Sequence, residues 1–310
     1  MLNIQSLHHI RVGVTDLAGN ERFARDFGLQ EAARDGQTVY FRGHGADAYC
    51  YVAAPAARAG VRAVAFLAGS PDDLDEAVRR FGATAPRALR GPGGGTAVSL
   101  TDPDGITIDI VHGIAGREPD PLLPVPVINY PGRHQRFNAS QHFRPPGPAR
   151  PLRLGHLGLF VGDFRRTEAW YCEVLGMRAS DRMYMGAPDQ PVGGFYRLDR
   201  GAQWVDHHII GFFGMGRPGL HHMSFEVQDI EQQMVAHRHL RKQGHQPVWG
   251  VGRHPLGSHV FDLWKDPNGL RFETYSDTDL CNDQRPTGDH DVAHSEMDLW
   301  SNEPAEPYFA

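Results

Sequence analysis

"DPDGITID" at residues 102–109 and "DPNGLRFE" at 266–273 are two copies of one pattern: a turn, then a strand that reaches an acid, Asp109 in the first copy and Glu273 in the second. Aspartate, proline and glycine at these positions close a tight turn and deliver the chain into extended structure. Upstream, "LHHIRVGVTDL" (7–17) matches "LGHLGLFVGDF" (154–164), which sets His9 against His156 and Asp16 against Asp163. Between these anchors "AVAFLAGSPDDLDEAVRRFGA" (63–83) matches "HMSFEVQDIEQQMVAHRHLRKQGH" (222–245), with Ala63 opposite His222. A match sustained over this much chain is an internal duplication.

Both copies share one local grammar: an alternating strand, a helix, several strands, a second helix and a closing hairpin. The first helix opens at Asp16 or Asp163 as N-cap and stops at Gly28 or Gly176. The later helix opens at Ser70 followed by Pro71, or at Asp229 with Gln232 three residues on, and ends at Gly82 or Gly244. The fold class expected is α+β, with a mixed, mainly antiparallel sheet curling into a cup in each copy. The expected divisions are residues 1–113, a Pro-rich linker or strap over 114–151, a second unit over 152–277 and a polar tail over 278–310.

Bulk properties narrow the class. With 40% hydrophobic and 22% charged residues, the 310-residue chain has the composition of a soluble globular protein with room for two cores. A net charge of −6 leaves no basic footprint for nucleic acid and no polybasic membrane patch. No apolar run reaches the roughly 18 residues of a membrane span, and the start lacks a signal-peptide profile. Three scattered cysteines, Cys50, Cys172 and Cys281, fit reduced thiols in a cytoplasmic protein.

Strand parity then sorts the histidines, because successive side chains point to opposite faces. In "HLGLFV" the residues Leu157, Leu159 and Val161 share the core face and His156 points the other way. In "HHMSFEV" the core set is His221, Met223, Phe225 and Val227, leaving His222, Ser224 and Glu226 opposite. In "LRFETY" Leu270 and Phe272 face the core, while Arg271, Glu273 and Tyr275 face away. His156, His222 and Glu273 therefore share the non-core face of equivalent strands. Two imidazoles and one carboxylate suit a mononuclear non-haem Fe(II), and manganese(II) or zinc would accept the same set. The first copy keeps His9 and Asp109 but has Ala63 where His222 stands, so it is expected to hold no metal.

These residues, with the C-terminal motif "GRHPLGSHVFDLWKDPNGLRFETYSD" (252–277), resemble the type I extradiol ring-cleavage dioxygenases (catechol 2,3-dioxygenase-like) of the vicinal oxygen chelate superfamily. The resemblance covers nearly the whole chain. It implies two tandem domains, each of paired βαβββ modules forming a curved, barrel-like sheet, with an inert first domain. It further implies Fe(II) on His156, His222 and Glu273, and ring cleavage of a catechol by O2 (meta-cleavage, aromatic catabolism). His208 in "WVDHHIIGFF" matches the family's acid/base histidine, and His254 a histidine that contacts a substrate hydroxyl. The departure is Leu263, at a position where the family usually has a tyrosine. Leucine offers no donor there. Tyr275 is the main candidate to contact substrate instead, with Tyr196 a looser one, and Trp204, Phe212, Phe213 and Trp264 are candidate walls of an aromatic pocket. His259 is read as a surface or packing residue. Association into a homo-oligomer is expected. The rival readings are a glyoxalase-like isomerase or lyase, an atypical oxidase, and a non-catalytic small-molecule-binding cup.

Overall fold

The computed structural model describes residues 1–138, 145–305 and 308. Each half is built from two modules of one strand, one helix and three further sheet strands, with one short strand that pairs outside the main sheet added in the second half. The first half runs β1 (Ile4–Val14), α1 (Leu17–Phe27), β2 (Gln30–Asp35), β3 (Thr38–Arg42), β4 (Tyr51–Pro55), then β5 (Gly60–Ala68), α2 (Pro71–Phe81), β6 (Arg87–Ala88), β7 (Thr96–Thr101) and β8 (Thr107–His112). The second half begins with β9 (Leu154–Val161), α3 (Phe164–Leu175), β10 (Met177–Tyr184), β11 (Pro191–Leu198), a short β12 (Val205–Asp206) and β13 (Ile210–Gly214). It continues with β14 (Gly219–Glu226), α4 (Ile230–Lys242), β15 (Pro247–Arg253), β16 (Val260–Lys265) and β17 (Arg271–Ser276). The tail adds β18 (Leu280–Cys281), β19 (Gly288–Asp291) and β20 (Trp300–Ser301).

The helices start and stop where their capping chemistry dictates. Asp16, Asp163 and Asp229 each accept a hydrogen bond from a first-turn backbone N–H, and Ser70 forms a capping box with Asp73. Gly28, Gly82 and Gly176 take the left-handed conformation that ends α1, α2 and α3. Helix α4 ends at Gln243, one residue before Gly244.

In each module the first strand pairs in parallel with the last, β1 with β4, β5 with β8, β9 with β13 and β14 with β17. The two modules of a half meet through an antiparallel central pair, β1 with β5 and β9 with β14. The resulting orders are β2-β3-β4-β1-β5-β8-β7-β6 and β19-β10-β11-β13-β9-β14-β17-β16-β15-β20. The tail is thus part of the second sheet: β19 and β20 form its two edges, and residues 292–297 run between those edges. Among the described residues, no helix is long and apolar enough to cross a membrane.

One hydrophobic core spans both halves. Phe23 and Tyr51 lie 5.0 and 5.2 Å, centroid to centroid, from Phe272, and Phe27 lies 5.6 Å from Phe225. The two DPxG turns cross reciprocally at this junction. Asp266 accepts from the buried Asn20 amide, and Asn268 accepts from the Asp16 backbone at 2.7 Å. In the mirror arrangement Asp102 accepts from the Tyr171 hydroxyl and Asp104 from the Gly162 N–H. Residues 113–150 form no regular element beyond a bridge between Tyr130 and Arg133, among those described. Asp120 anchors this stretch to His44 and Arg117, and Leu123 is held by the Gln228 side chain of the second half.

Candidate metal centre

Three neighbouring strands, β9, β14 and β17, bring the predicted triad together. Ser224 on β14 faces His156 of β9 on one side and Glu273 of β17 on the other, and His222 sits one pleat along opposite Gly158. His156, His222 and Glu273 each offer a ligand atom within 4.8 Å of the others, and all three residues are buried. Gly158 is required by close approach: a β-carbon there would lie 2.5 Å from the His222 ring.

The chemistry of these groups fits a cation. Glu273 Oε1 accepts from Ser224 at 2.6 Å and lies 3.2 Å from His156 Nε2, while Oε2 is buried with no hydrogen-bond partner. An orphaned carboxylate oxygen is costly unless a positive centre occupies the space beside it. Burial pushes the Glu273 carboxyl up, but the His156 hydrogen bond and charge, with Ser224, outweigh it and hold it below the ordinary carboxylate value. His222 is held well below the ordinary imidazole value, by burial first and then by its histidine neighbours. A neutral imidazole is the form that ligates a metal.

His221 fixes the His222 tautomer. Its Nε2 lies 2.6 Å from the Tyr308 carbonyl, which can only accept, so Nε2 carries the proton. Its Nδ1 lies 2.6 Å from His222 Nδ1 and therefore accepts, leaving the His222 Nε2 lone pair for the metal. Strand parity places His221 on the core face; a bulge between Leu220 and His222 instead turns it toward Phe160, Phe213 and Tyr308. His221→Ala is expected to weaken metal affinity about 10- to 100-fold, read by anaerobic Fe(II) titration. Unchanged affinity would remove His221 from the arrangement.

A second group, His156, His208 and His259, also satisfies the distance condition for a metal. The carboxylate-containing set is the stronger candidate. It supplies a negative charge with an unpartnered oxygen, and its His222 is oriented from behind, whereas His259 Nδ1 is buried without a partner. His259 nevertheless corrects the sequence reading. It lines the cavity, with its ring 5.3 Å from His156, 5.4 Å from His208 and 4.8 Å from His254.

His208 lines the same cavity, its ring 4.4 Å from that of His156. Behind it His207 Nδ1 lies 3.0 Å from His208 Nδ1, and His207 Nε2 lies 2.6 Å from the buried Asp181 carboxylate. Asp181 also receives His290 and Arg285. With His207 Nε2–H directed at the carboxylate, its Nδ1 accepts from His208 Nδ1–H, and His208 Nε2 presents a lone pair to the cavity. Nothing in the sequence signalled this support. His254 Nδ1 donates to the Met297 carbonyl at 2.7 Å, so Nε2 is its remaining ring nitrogen on the cavity wall.

Other expected contacts do not reach the cavity. Trp204 is 67% exposed in the connection between β11 and β12 and does not line it. Tyr275 packs against His156 with its ring tilted by 56° at 4.8 Å and its hydroxyl against Gly155, so it braces that imidazole and does not line the cavity. Tyr196 donates its hydroxyl to Glu168. Phe213 lines the cavity, whereas Phe212 and Trp264 belong to the core. Leu263 is fully buried opposite Glu273, packed with Trp249, Phe261 and Tyr308.

In the first cup the acid equivalent to Glu273 has an arginine partner. Ala65 lies between His9 and Asp109 as Ser224 lies between His156 and Glu273, which puts Ala63 in the place of His222. There Arg87 donates to both oxygens of the buried Asp109 at 2.9 Å, and Ser99 donates at 2.5 Å. The guanidinium is that cup's cation.

Buried histidines make stability depend on pH. Burial lowers His8 to about 4 and His221 to about 3, and holds His9 and His208 well below the ordinary value. These rings stay neutral in the folded chain, while the unfolded chain takes up protons below about pH 6.5. Stability is whole above pH 6.5 and falls as pH drops from there toward 4, by about 1.4 kcal/mol per unit for each such ring. The melting temperature of the metal-free protein should therefore decline between pH 7 and 5. A flat profile over that range would contradict the assignment.

Residues 6–110 and 153–274 match the family model for the Glyoxalase/Bleomycin resistance protein/Dioxygenase superfamily. Metapyrocatechase 2 of Cupriavidus necator is 28% identical over 280 residues, 89% of this chain and 82% of that protein. A Mn(II)-bound glyoxalase from Novosphingobium aromaticivorans has the same fold, with a TM-score of 0.79 at 22% identity over 97% of this chain and 91% of that one. Homoprotocatechuate 2,3-dioxygenase from Brevibacterium fuscum, in an anaerobic complex with 3,4-dihydroxyphenylacetate, gives 0.78 at 20% identity over 99% and 92%. The duplicated modules, the register of the three central strands and the family match lead to one conclusion: the chain belongs to the Glyoxalase/Bleomycin resistance protein/Dioxygenase superfamily, as two tandem vicinal-oxygen-chelate domains.

Proposed function

We propose that the protein is an Fe(II)-dependent extradiol dioxygenase that opens the ring of a catechol beside its two hydroxyls with O2. The observation that carries this reading is the orphaned Glu273 oxygen beside two buried imidazoles at the inner end of a cavity of about 700 Å³. The similarity to metapyrocatechase 2 and to homoprotocatechuate 2,3-dioxygenase supports the same reading. Fe(II) on His156, His222 and Glu273 would supply coordination positions for both catechol oxygens and O2, and electron transfer between them.

The protein's own groups supply orientation and proton movement. His208 Nε2 faces the cavity as a base and can accept a hydroxyl proton there. Having accepted that proton, His208 would carry both N–H groups, its Nδ1–H still donated to His207 with the Asp181 carboxylate behind it, and its Nε2–H could return the same proton as an acid. His254 Nε2 stands where it can hold a substrate oxygen. Apolar walls keep bulk water from these groups. The test is anaerobic loading with Fe(II), addition of a catechol, then air. Oxygen uptake with a yellow semialdehyde-type product supports ring cleavage.

A second reading, a manganese-dependent isomerase or lyase, rests on Leu263, which supplies no hydroxyl beside Glu273. It predicts turnover of a substrate without oxygen consumption.

A further inference from the structure

The cavity divides chemically into two ends. The inner end carries the imidazoles of His156, His208, His222, His254 and His259 with Glu273. Much of the rest of the lining is apolar, from Met183, Val192, Phe195, Phe213, Met215 and Leu256, with the Phe195 ring 4.8 Å from His208. Among the described residues its lining contains no lysine or arginine, and the one acid away from the inner end is Glu296, on the tail. Of the nearby guanidinium groups, Arg182 pairs with Glu168, Arg153 with Asp206 and Glu226, Arg253 with Asp277 and Arg285 with Asp181, while Arg271 donates to the Tyr308 carbonyl and Arg217 lies over the Phe160 ring.

A substituent carrying a carboxylate would enter these walls unpaired and would meet Glu296. An unpaired anion in an apolar setting is heavily disfavoured. Flexible thioethers adapt to apolar groups of varied shape. A bare catechol ring would leave most of the 700 Å³ unfilled.

We propose that the natural substrate is an uncharged catechol bearing a bulky apolar substituent, an aryl ring or a medium-length alkyl chain, directed along the methionine-lined wall. This rests on the ring-cleavage reading and goes beyond it by naming the substrate class. The substrate's hydroxyls occupy the histidine end, and its side group supplies most of the binding through apolar contact. A reaction that hydroxylates an apolar aromatic to a catechol must therefore supply the substrate.

The test uses the full-length protein in two measurements. With Fe(II) loaded anaerobically, kcat/KM is measured by oxygen uptake for 3-phenylcatechol, 3-hexylcatechol, catechol and 3,4-dihydroxyphenylacetate. The apolar pair is expected to exceed catechol by about 10²-fold, since one buried ring or chain contributes about that factor. 3,4-Dihydroxyphenylacetate is expected to fall below catechol. In parallel, calorimetric titration of the metal-free protein compares 2-phenylphenol with 4-hydroxyphenylacetate, and 2-phenylphenol should bind at least about tenfold more tightly. Equal or better use of the carboxylated catechol, or tighter binding of 4-hydroxyphenylacetate, overturns the proposal. Tight 2-phenylphenol binding with no oxygen uptake on any catechol upholds the apolar ligand class and overturns ring cleavage.

Discussion

Replacing His222 with alanine should abolish iron binding while leaving the fold intact, a loss of more than about 10²-fold in affinity. The residue is one of the two imidazoles grouped with the orphaned Glu273 oxygen, and its lone pair is aimed by the His221 relay to the Tyr308 carbonyl. Its removal deletes a ligand and leaves His221 Nδ1 without its donor, but breaks none of the β9–β14–β17 backbone pairing. Anaerobic dialysis followed by iron analysis, with circular dichroism to verify folding, is the measurement. A parent-like iron content would refute the ligand assignment. The reverse substitution in the first cup, Ala63→His, should gain no iron, because Arg87 already occupies both oxygens of Asp109.

Replacing His208 with alanine should leave iron content unchanged and reduce kcat by about 10² to 10⁴, the usual effect of deleting a positioned acid/base group. The ring stands beside His156 but belongs to a different hydrogen-bonded system, the one that ends at Asp181. Iron and rate should therefore separate in this variant, whereas in His222→Ala both are lost. Loss of iron from His208→Ala would move the metal toward the His156, His208 and His259 group.

Most of the architecture was legible because duplication supplied an internal control. Two DPxG turns, two Asp-capped first helices and alternating strands at matching spacing dictate two equivalent cups, and the parity of single strands placed His156, His222 and Glu273 on one face. What parity could not reveal was any break in alternation. The bulge beside His221 converted an expected core residue into a partner of His222. Contacts that depend on closure were also hidden. His259 enters the cavity because β15 and β16 curl over β17, and Asp181 reaches His207 from a different strand. Trp204 has aromatic character but no strand register in the sequence to place it, and it lies in solvent. The tail's polar composition gave no hint that two of its short segments complete the second sheet.

The reciprocal crossing of the turns has a consequence for how the gene can be divided. Asn20 from one half serves Asp266 of the other, Tyr171 serves Asp102 in return, and Phe272 rests against Phe23 and Tyr51. A fragment encoding only residues 152–310 would expose that aromatic face and strand a buried acid, so it should precipitate on expression. The intact chain should melt as one calorimetric event, with no separable step for either portion. The arginine-paired cup thus supplies part of the packing surface on which its neighbour rests.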